Sequence, residues 1–252
     1  MEIARTLGSA VALGLALTLA AVPAPGQAPP AAANTRPPAD QGPLSVPIGT
    51  TTVKLPEPRT TSATSVEEAL LARRGPRAFA SAPITLRQAS QLLWAAQGIT
   101  GPHGRRAAPS AGGIFPLEVI LVAANVDGLP PAVYRYRPTT HELVRIGEGD
   151  RRPAIAEACR FKPLAGAPAI VVITTVESRT AKAYGNRAPK LVALEAGAAC
   201  QNLSLEAAAV GLGCGMLVEF DEAALARAIG TEPDETPFTV LAVTRPEPAP
   251  RP

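Results

Sequence analysis

Pro109-Ser110-Ala111-Gly112-Gly113-Ile114-Phe115-Pro116-Leu117-Glu118, running on into Val119-Ile120-Leu121-Val122, is the stretch from which the rest of the chain is read. Its last four residues are continuously apolar and mostly β-branched, which predicts a short buried strand. The entry to that strand is unusual. Gly112 and Gly113 can take positive φ and bring no Cβ, so neighbouring amides can converge on one concavity that suits an anion or the polar edge of a flat ring. Ser110 adds a hydroxyl that donates or accepts. The commoner reading of such a turn, taken alone, is a tight loop that feeds a strand.

Working outward, residues 101–108 are polar and basic, with Arg105 and Arg106, and read as a mobile loop. Upstream stand two capping boxes. Ser65 and Glu68 open a helix that ends at Arg73-Arg74-Gly75-Pro76-Arg77, where Gly75 and Pro76 supply stop chemistry. Thr85 and Gln88 open a second, with Leu86, Ala89, Leu93 and Ala96 on one face and Gly98 at its end. Downstream of the 119–124 strand, Asp127-Gly128 starts a turn, and 133–137 and 142–146 continue a meander. A short helix is expected over 154–159 and a central strand over Ala169–Thr175, with a helix after it over Glu177–Tyr184.

Residues 191–210 form a helix of about 30 Å. It is rich in Ala and Gly and apolar nearly all round, so it is expected to be buried on all sides, as the spine of the core or of a subunit interface. Its glutamates weigh against a membrane span. Residues 211–218 read as a Gly-rich turn into a strand, Asp221 caps a helix over Glu222–Ile229, and 238–244 is the last strand. Hairpins mixed with helices, without a regular βαβ repeat, give an α+β fold with a mostly antiparallel central sheet flanked by helices.

The termini read differently from the rest. Residues 1–24 have the layout of a secretory signal or an N-terminal anchor, which places the protein outside the cytoplasm, periplasmic or tethered to a membrane. Residues 25–62 are rich in Pro, Ala and Thr and read as a linker whose later part lies along the domain as an arm. The globular domain spans 63–246, and 247–252 reads as a disordered tail. A net charge of +3 over 252 residues, no basic block and only 4% aromatics argue against nucleic acid as a partner. Three cysteines show no metal spacing, and the two histidines, His103 and His141, read as surface or loop residues. A multi-histidine metal site is therefore excluded, and a Ser-His-Asp triad is poorly supplied.

Arg73, Arg74 and Arg77 cluster where a helix meets a loop. Guanidinium forks match phosphate oxygens, although the same cluster also suits a solvated helix end. Neither a phosphate loop of the GxxxxGK type nor a GxGxxG after a strand is present. Taken together, Arg73-Arg74-Gly75-Pro76-Arg77-Ala78-Phe79, Pro109–Glu118 as quoted above, Glu195-Ala196-Gly197 with Gln201-Asn202, and Gly211-Leu212-Gly213 ahead of Phe220-Asp221 resemble the FMN-dependent nitroreductase family. The branch most similar is that of the dehydrogenases that form thiazole and oxazole rings from azolines in modified peptides.

The resemblance implies a homodimer with FMN in a cleft at the subunit interface. Arg73 and Arg77 would hold its phosphate, with Arg74 at the ring or ribityl edge and Arg245 as a late basic contact. Gly75 stands where family members carry a serine. Pro109, Ser110, Ala111, Gly112 and Gly113 would line the ring, and the backbone at Val218 and Glu219 would pack beside its reactive atom, although a glycine is usual near Val218. No side-chain catalyst is implied, because the flavin N5 carries the hydride, and no metal. The implied activity is ping-pong hydride transfer to or from a small organic or peptide substrate, with NAD(P)H or an unknown reductase as donor. An exported flavin-binding protein without efficient turnover is the alternative.

Overall fold

The computed structural model describes residues 51–76 and 78–246. The expected signal or anchor, most of the linker, Arg77 and the tail lie outside the described residues. In chain order the elements are β1 (Thr52–Lys54), α1 (Val66–Ala72), β2 (Ile84–Thr85), α2 (Leu86–Gln97), β3 (Leu117–Ala123), β4 (Val126–Asp127), β5 (Ala132–Arg137), β6 (Glu142–Glu148), α3 (Arg152–Ala158), β7 (Ala169–Thr175), α4 (Glu177–Tyr184), α5 (Ala188–Ala209), β8 (Gly213–Leu217), α6 (Glu222–Ile229) and β9 (Thr236–Thr244).

Seven strands make one sheet in the order β1-β6-β5-β3-β7-β9-β8. Each neighbouring pair in it is antiparallel. The short β2 and β4 pair in parallel beside it. Every residue of β3 and β7 is buried. A strand covered on both faces loses the in-out alternation, which is why these two read as unbroken apolar runs. One face packs against α2 and α5 through Leu92, Leu93, Val119, Leu121, Val171, Ala199 and Leu203. The opposite face packs against α3 and α6 through Ile120, Val172, Ile155, Leu225 and Ile229. Each such leucine or isoleucine contributes roughly 1.5–3 kcal/mol by leaving water.

Both capping boxes form as read. Ser65 Oγ accepts from the Glu68 amide at 3.1 Å, and the Glu68 carboxylate accepts from the Ser65 amide at 2.7 Å. Thr85 and Gln88 do the same for α2. Arg73 is the C-cap of α1, so the N-terminal cap also steadies the helix that carries this arginine. Ser65→Ala is expected to cost about 1 kcal/mol, seen as a fall of about 2–4 °C in a thermal melt.

Three readings are corrected. Helix α5 is central and Ala/Gly-rich, but within the chain it is buried on one side only: Val192, Glu195, Ala196, Ala199 and Leu203 face inward while Leu194 is 63% exposed. Small residues allow close approach on one side and leave the other open for something else. His141 is not a surface histidine. It is buried, with Nδ1 2.9 Å from the Tyr136 hydroxyl and Nε2 2.8 Å from Ser90 Oγ and 3.0 Å from the Pro56 carbonyl. It thus clasps the N-terminal arm, which pairs through β1 with β6 and buries Leu55. Of the glycines of 211–218, finally, Gly211 lies in the turn as read, at φ 75°, while Gly213 and Gly215 lie within β8 itself.

Candidate functional site

Those two strand glycines explain where the arginine turn lies. A Cβ on Gly213 would come within 3.4 Å of the Pro76 side chain, and one on Gly215 within 3.3 Å of the Pro76 carbonyl. The chain after α1 therefore lies flat on β8 only because β8 is bare there. The Ala80 amide donates to Thr244 Oγ1 at 3.0 Å, and Arg245 Nε donates to the Pro83 carbonyl at 2.8 Å. Gly213 pairs with Thr244 across β8 and β9. Arg73, Arg74, Gly75 and Arg245 are thereby gathered at one end of the sheet from opposite ends of the domain sequence. The Arg73 charge reaches the buried Cys214 thiol of β8. Arg74 folds back instead, donating from Nη1 to the Leu71 and Arg73 carbonyls at 2.8 Å, so it caps the C-terminus of α1. A Cβ on Gly75 would meet nothing within 4 Å.

Val218 and Glu219 follow directly on β8, whose Leu217 pairs with Val240. Four residues separate that pair from the Gly213–Thr244 end, about 13 Å along the strand. Met216 and Val218, at the end of β8 away from the arginines, are 58% and 65% exposed.

The Pro109–Gly113 stretch closes in a 3-10 turn over Ala111–Gly113, with Gly112 at φ 64° and Gly113 at φ 66°. A Cβ on Gly112 would also sit 2.9 Å from the Tyr184 hydroxyl, so a side chain there displaces the end of that tyrosine. The Gly113 amide donates to the Ser110 carbonyl at 3.1 Å, Ile114 to Ala111 at 3.4 Å, and the Phe115 amide to Ser110 Oγ at 2.9 Å. The expected collar of bare amides is therefore largely consumed inside the turn. The backbone donors left for a ligand are those of Ala111 and Gly112.

This turn lies at the other end of the sheet. It runs into Leu117, which pairs with Thr175, while Ala123 pairs with Ala169 in the row next to Thr244 and Gly213. Six residues of β3 separate these rows, about 20 Å along the strands, with three strand spacings across. Within one chain the arginine turn and the glycine turn do not meet.

Behind the glycine turn is a group of polar residues that the sequence reading did not assemble. Arg106 is not in a free loop. Its Nη1 donates to Gln97 Oε1 at 3.0 Å and its guanidinium stacks 4.4 Å over the Phe115 ring. Burial lowers its pKa, opposed by the charges of Glu118 and Glu195. Burial also pushes Glu195 up to about 7, against the pull of the Ser110 hydroxyl, Arg106 and Gln97. Arg179 bridges Glu118 at 2.7 Å and donates to the Phe115 carbonyl at 3.3 Å. One signal could have found this cluster. A glutamate on the core side of an Ala-rich helix needs a partner, and Arg106 is the nearby unassigned cation.

Comparison with known proteins bears on the family and the fold. The model of the Nitroreductase family matches residues 70–244. A Methanocaldococcus jannaschii protein described as a nitroreductase is 37% identical over 149 residues, covering 59% of this chain and 75% of its own length. A solved structure from Ralstonia eutropha, likewise described as a nitroreductase, superposes with a TM-score of 0.69 at 28% identity, covering 79% of this chain and 90% of its own. The NADPH:FMN oxidoreductase of Vibrio harveyi, solved with NAD+, shares the fold with a TM-score of 0.52 at 18% identity, over 74% of this chain and 70% of its own. An α+β sheet of this order, matched by the family model over nearly its whole described length, identifies the chain as a member of the nitroreductase family of oxidoreductases.

Proposed function

We propose that the protein is an FMN-dependent oxidoreductase that works as a homodimer, with each cofactor held by two chains. The observation that carries this reading is the separation just described. The arginine end and the glycine turn stand at opposite ends of one sheet, and the surface beside α1, α5 and β8 is apolar and open. Leu71 is 74% exposed and Leu70, Val66, Leu194 and Met216 are exposed with it. A second copy placed there by a two-fold axis covers that surface and brings its own glycine turn toward the first chain's arginines.

The residues fit FMN on three counts. Arg73 and Arg245 belong to the same end of the sheet, and their guanidinium groups suit a phosphate dianion; Arg77, expected to join them, lies outside the described residues. Met216 and Val218 give a flat apolar wall at a distance that the ribityl chain covers, with Glu219 beside it. The bare Gly112 and Gly113 let a planar ring approach the partner's turn, where the Ala111 and Gly112 amides and the Ser110 hydroxyl face its polar edge. Pro109 enters that turn and fixes its backbone. Arg74, turned back onto its own helix, serves α1 rather than the ring. When bound, FMN supplies hydride transfer, and positive charge and donors near the ring's pyrimidine edge favour its reduced form.

NAD(P)H is the donor we assign first, or a partner reductase if residues 1–24 direct export, with a small organic or peptide substrate. The motif set favours the branch that oxidises azoline rings in peptides. The test is direct. The protein purified without residues 1–24 is expected to be yellow, or to take up added FMN, and to bleach with NAD(P)H or dithionite under argon. A colourless protein that ignores FMN contradicts the reading. Gly75, which removes a hydroxyl from the phosphate end although a side chain would fit there, favours a second reading: a flavin-binding protein that no donor reduces at a useful rate. Bound FMN that bleaches with dithionite and with no biological donor selects it.

A further inference from the structure

Within one chain, helix α1 has little to rest on. Of its seven residues only Ala69 is buried, while Val66, Leu70 and Leu71 are exposed. A cavity of about 310 Å³ opens beside its first turn, between Ser65 and Ala69 on one side and Trp94 of α2 and Leu205 and Ala209 of α5 on the other. A helix of two turns does not form by itself in water. Its place is therefore set by the chain at its two ends. The C-terminal end is fixed where Pro76 lies on β8. The N-terminal end is reached through residues 51–64.

That stretch is held at three successive points. β1 pairs with β6, and the Leu55 amide donates to the His141 carbonyl at 3.1 Å. One residue on, the Pro56 carbonyl accepts from Ser90 Oγ at 2.6 Å and from His141 Nε2 at 3.0 Å. A carbonyl only accepts, so this contact places a hydrogen on Nε2, and in the neutral ring Nδ1 then accepts from the Tyr136 hydroxyl at 2.9 Å. Three residues further, Gln91 grips Arg59 by both backbone groups. The Arg59 amide donates to Oε1 at 2.8 Å, and Nε2 donates to the Arg59 carbonyl at 3.1 Å. Ser90, Gln91 and His141 are all buried. Buried side chains that spend their hydrogen bonds on the backbone of a surface arm mark a built attachment.

We infer that residues 51–60 are a strap that sets the position of α1, and through it the phosphate end of the site. The phosphate end rests on the FMN reading; the hold on α1 belongs to the chain alone. Five residues separate Arg59 from the cap at Ser65, and Arg73 is the C-cap of the same helix. Latched, the strap closes α1 over its cavity and keeps Arg73 at its end of the sheet. Released at Pro56 or Arg59, it lets α1 fray or swing about Pro76, and Arg73 moves with it. Ser90, Gln91 and His141 act through α1 and are positioning residues. The strap follows directly on residues 25–50 in the chain, so whatever engages that segment pulls on this attachment first.

The test has an arm without cofactor. The Ala69 amide donates to the Ser65 carbonyl at 3.0 Å and the Arg73 amide to the Ala69 carbonyl at 2.9 Å. In flavin-free Ser90→Ala and Gln91→Leu, these two amides are expected to exchange with deuterium about tenfold faster than in the wild type, the worth of one lost hydrogen bond. Ile229→Val, which loosens the core on the opposite face of the sheet, should speed the amides of β3 and β7 and leave these two at wild-type rates. In the second arm, FMN should bind both strap variants about three- to tenfold more weakly, while riboflavin, which lacks the phosphate, binds them as it binds the wild type. Ala69 and Arg73 amides that exchange alike in the wild type and both strap variants, or that speed equally in Ile229→Val, overturn the proposal. So do equal losses of FMN and riboflavin affinity. Faster exchange in α1 of a protein with no affinity for either flavin upholds the strap and removes the FMN reading instead.

Discussion

Glu235→Ala is expected to lose about 3–5 kcal/mol of stability, because it strands a buried guanidinium. Arg135 on β5 grips Glu235 with both forks, Nη1 to Oε1 at 2.9 Å and Nη2 to Oε2 at 2.7 Å, and both side chains are almost fully buried. The Thr174 hydroxyl and the Glu232 amide also donate to that carboxylate. Arg135 in turn lies 3.7 Å from Glu118, which Arg179 bridges. The network ties β5, β3, β7, the turn before β9 and α4 together at the end of the sheet that carries the glycine turn. At about 2–4 °C per kcal/mol for a domain of this size, the melting temperature should fall by roughly 6–20 °C. Replacing both partners, Arg135→Met with Glu235→Leu, should cost less than Glu235→Ala alone, since no charge is then left unpaired. A double variant no better than the single would show that the polar network itself, rather than the stranded charge, holds this end together.

The same pair sets an acid limit. Burial raises the Glu235 pKa, but the Arg135 hydrogen bonds and charge, the Thr174 hydroxyl and the Glu232 amide outweigh it and hold the carboxyl below its ordinary value. A carboxyl depressed in the folded state stabilises above the unfolded pKa, about 4.3, and loses that contribution as pH falls through the folded value. Wild-type stability should therefore decline on acidification below about pH 4.3. Part of that decline should be absent from Glu235→Gln.

The second large effect falls on the cofactor. Arg73→Ala is expected to weaken FMN binding about 10- to 150-fold, the equivalent of one charge-assisted phosphate contact of about 1.5–3 kcal/mol. Raising the salt should narrow the gap between wild type and variant, as it does for partly exposed ion pairs. Gly112→Val should weaken FMN binding comparably by another route. A β-branched residue at φ 64° is strained, and its Cβ would press on the Tyr184 hydroxyl. Unchanged circular dichroism in both variants would confine these losses to the site.

Much of the fold was legible because its signals are local. The capping boxes at Ser65 and Thr85 form as read, and the aspartate cap at Asp221 holds the Ala224 amide at 2.8 Å. The continuous runs of β3 and β7 marked inner strands for the reason that both their faces are covered. The order of the sheet was not legible, since pairing β1 with β6 or β7 with β9 depends on contacts far apart in sequence. The one-sided burial of α5 was missed because composition tells how apolar a helix is, not how many neighbours the chain supplies. At the site, the separation of the arginine turn from the glycine turn was not legible, since a motif gives residue types and not their places along the sheet. Arg106 and His141 looked solvated in polar stretches, and only tertiary packing shows the amide, ring and hydroxyls that hold the first half-buried and the second buried.

A mixing experiment tests the shared site most directly. Arg73→Ala and Gly112→Val chains, carrying different tags and expressed together, give a heterodimer in which one site has lost both contributions and the other has kept both. FMN titration of that heterodimer should find one site per dimer with wild-type affinity, where each variant alone binds weakly at both. A heterodimer that binds FMN no better than the two parents would mean that arginines and glycine turn act within a single chain, and would contradict the account.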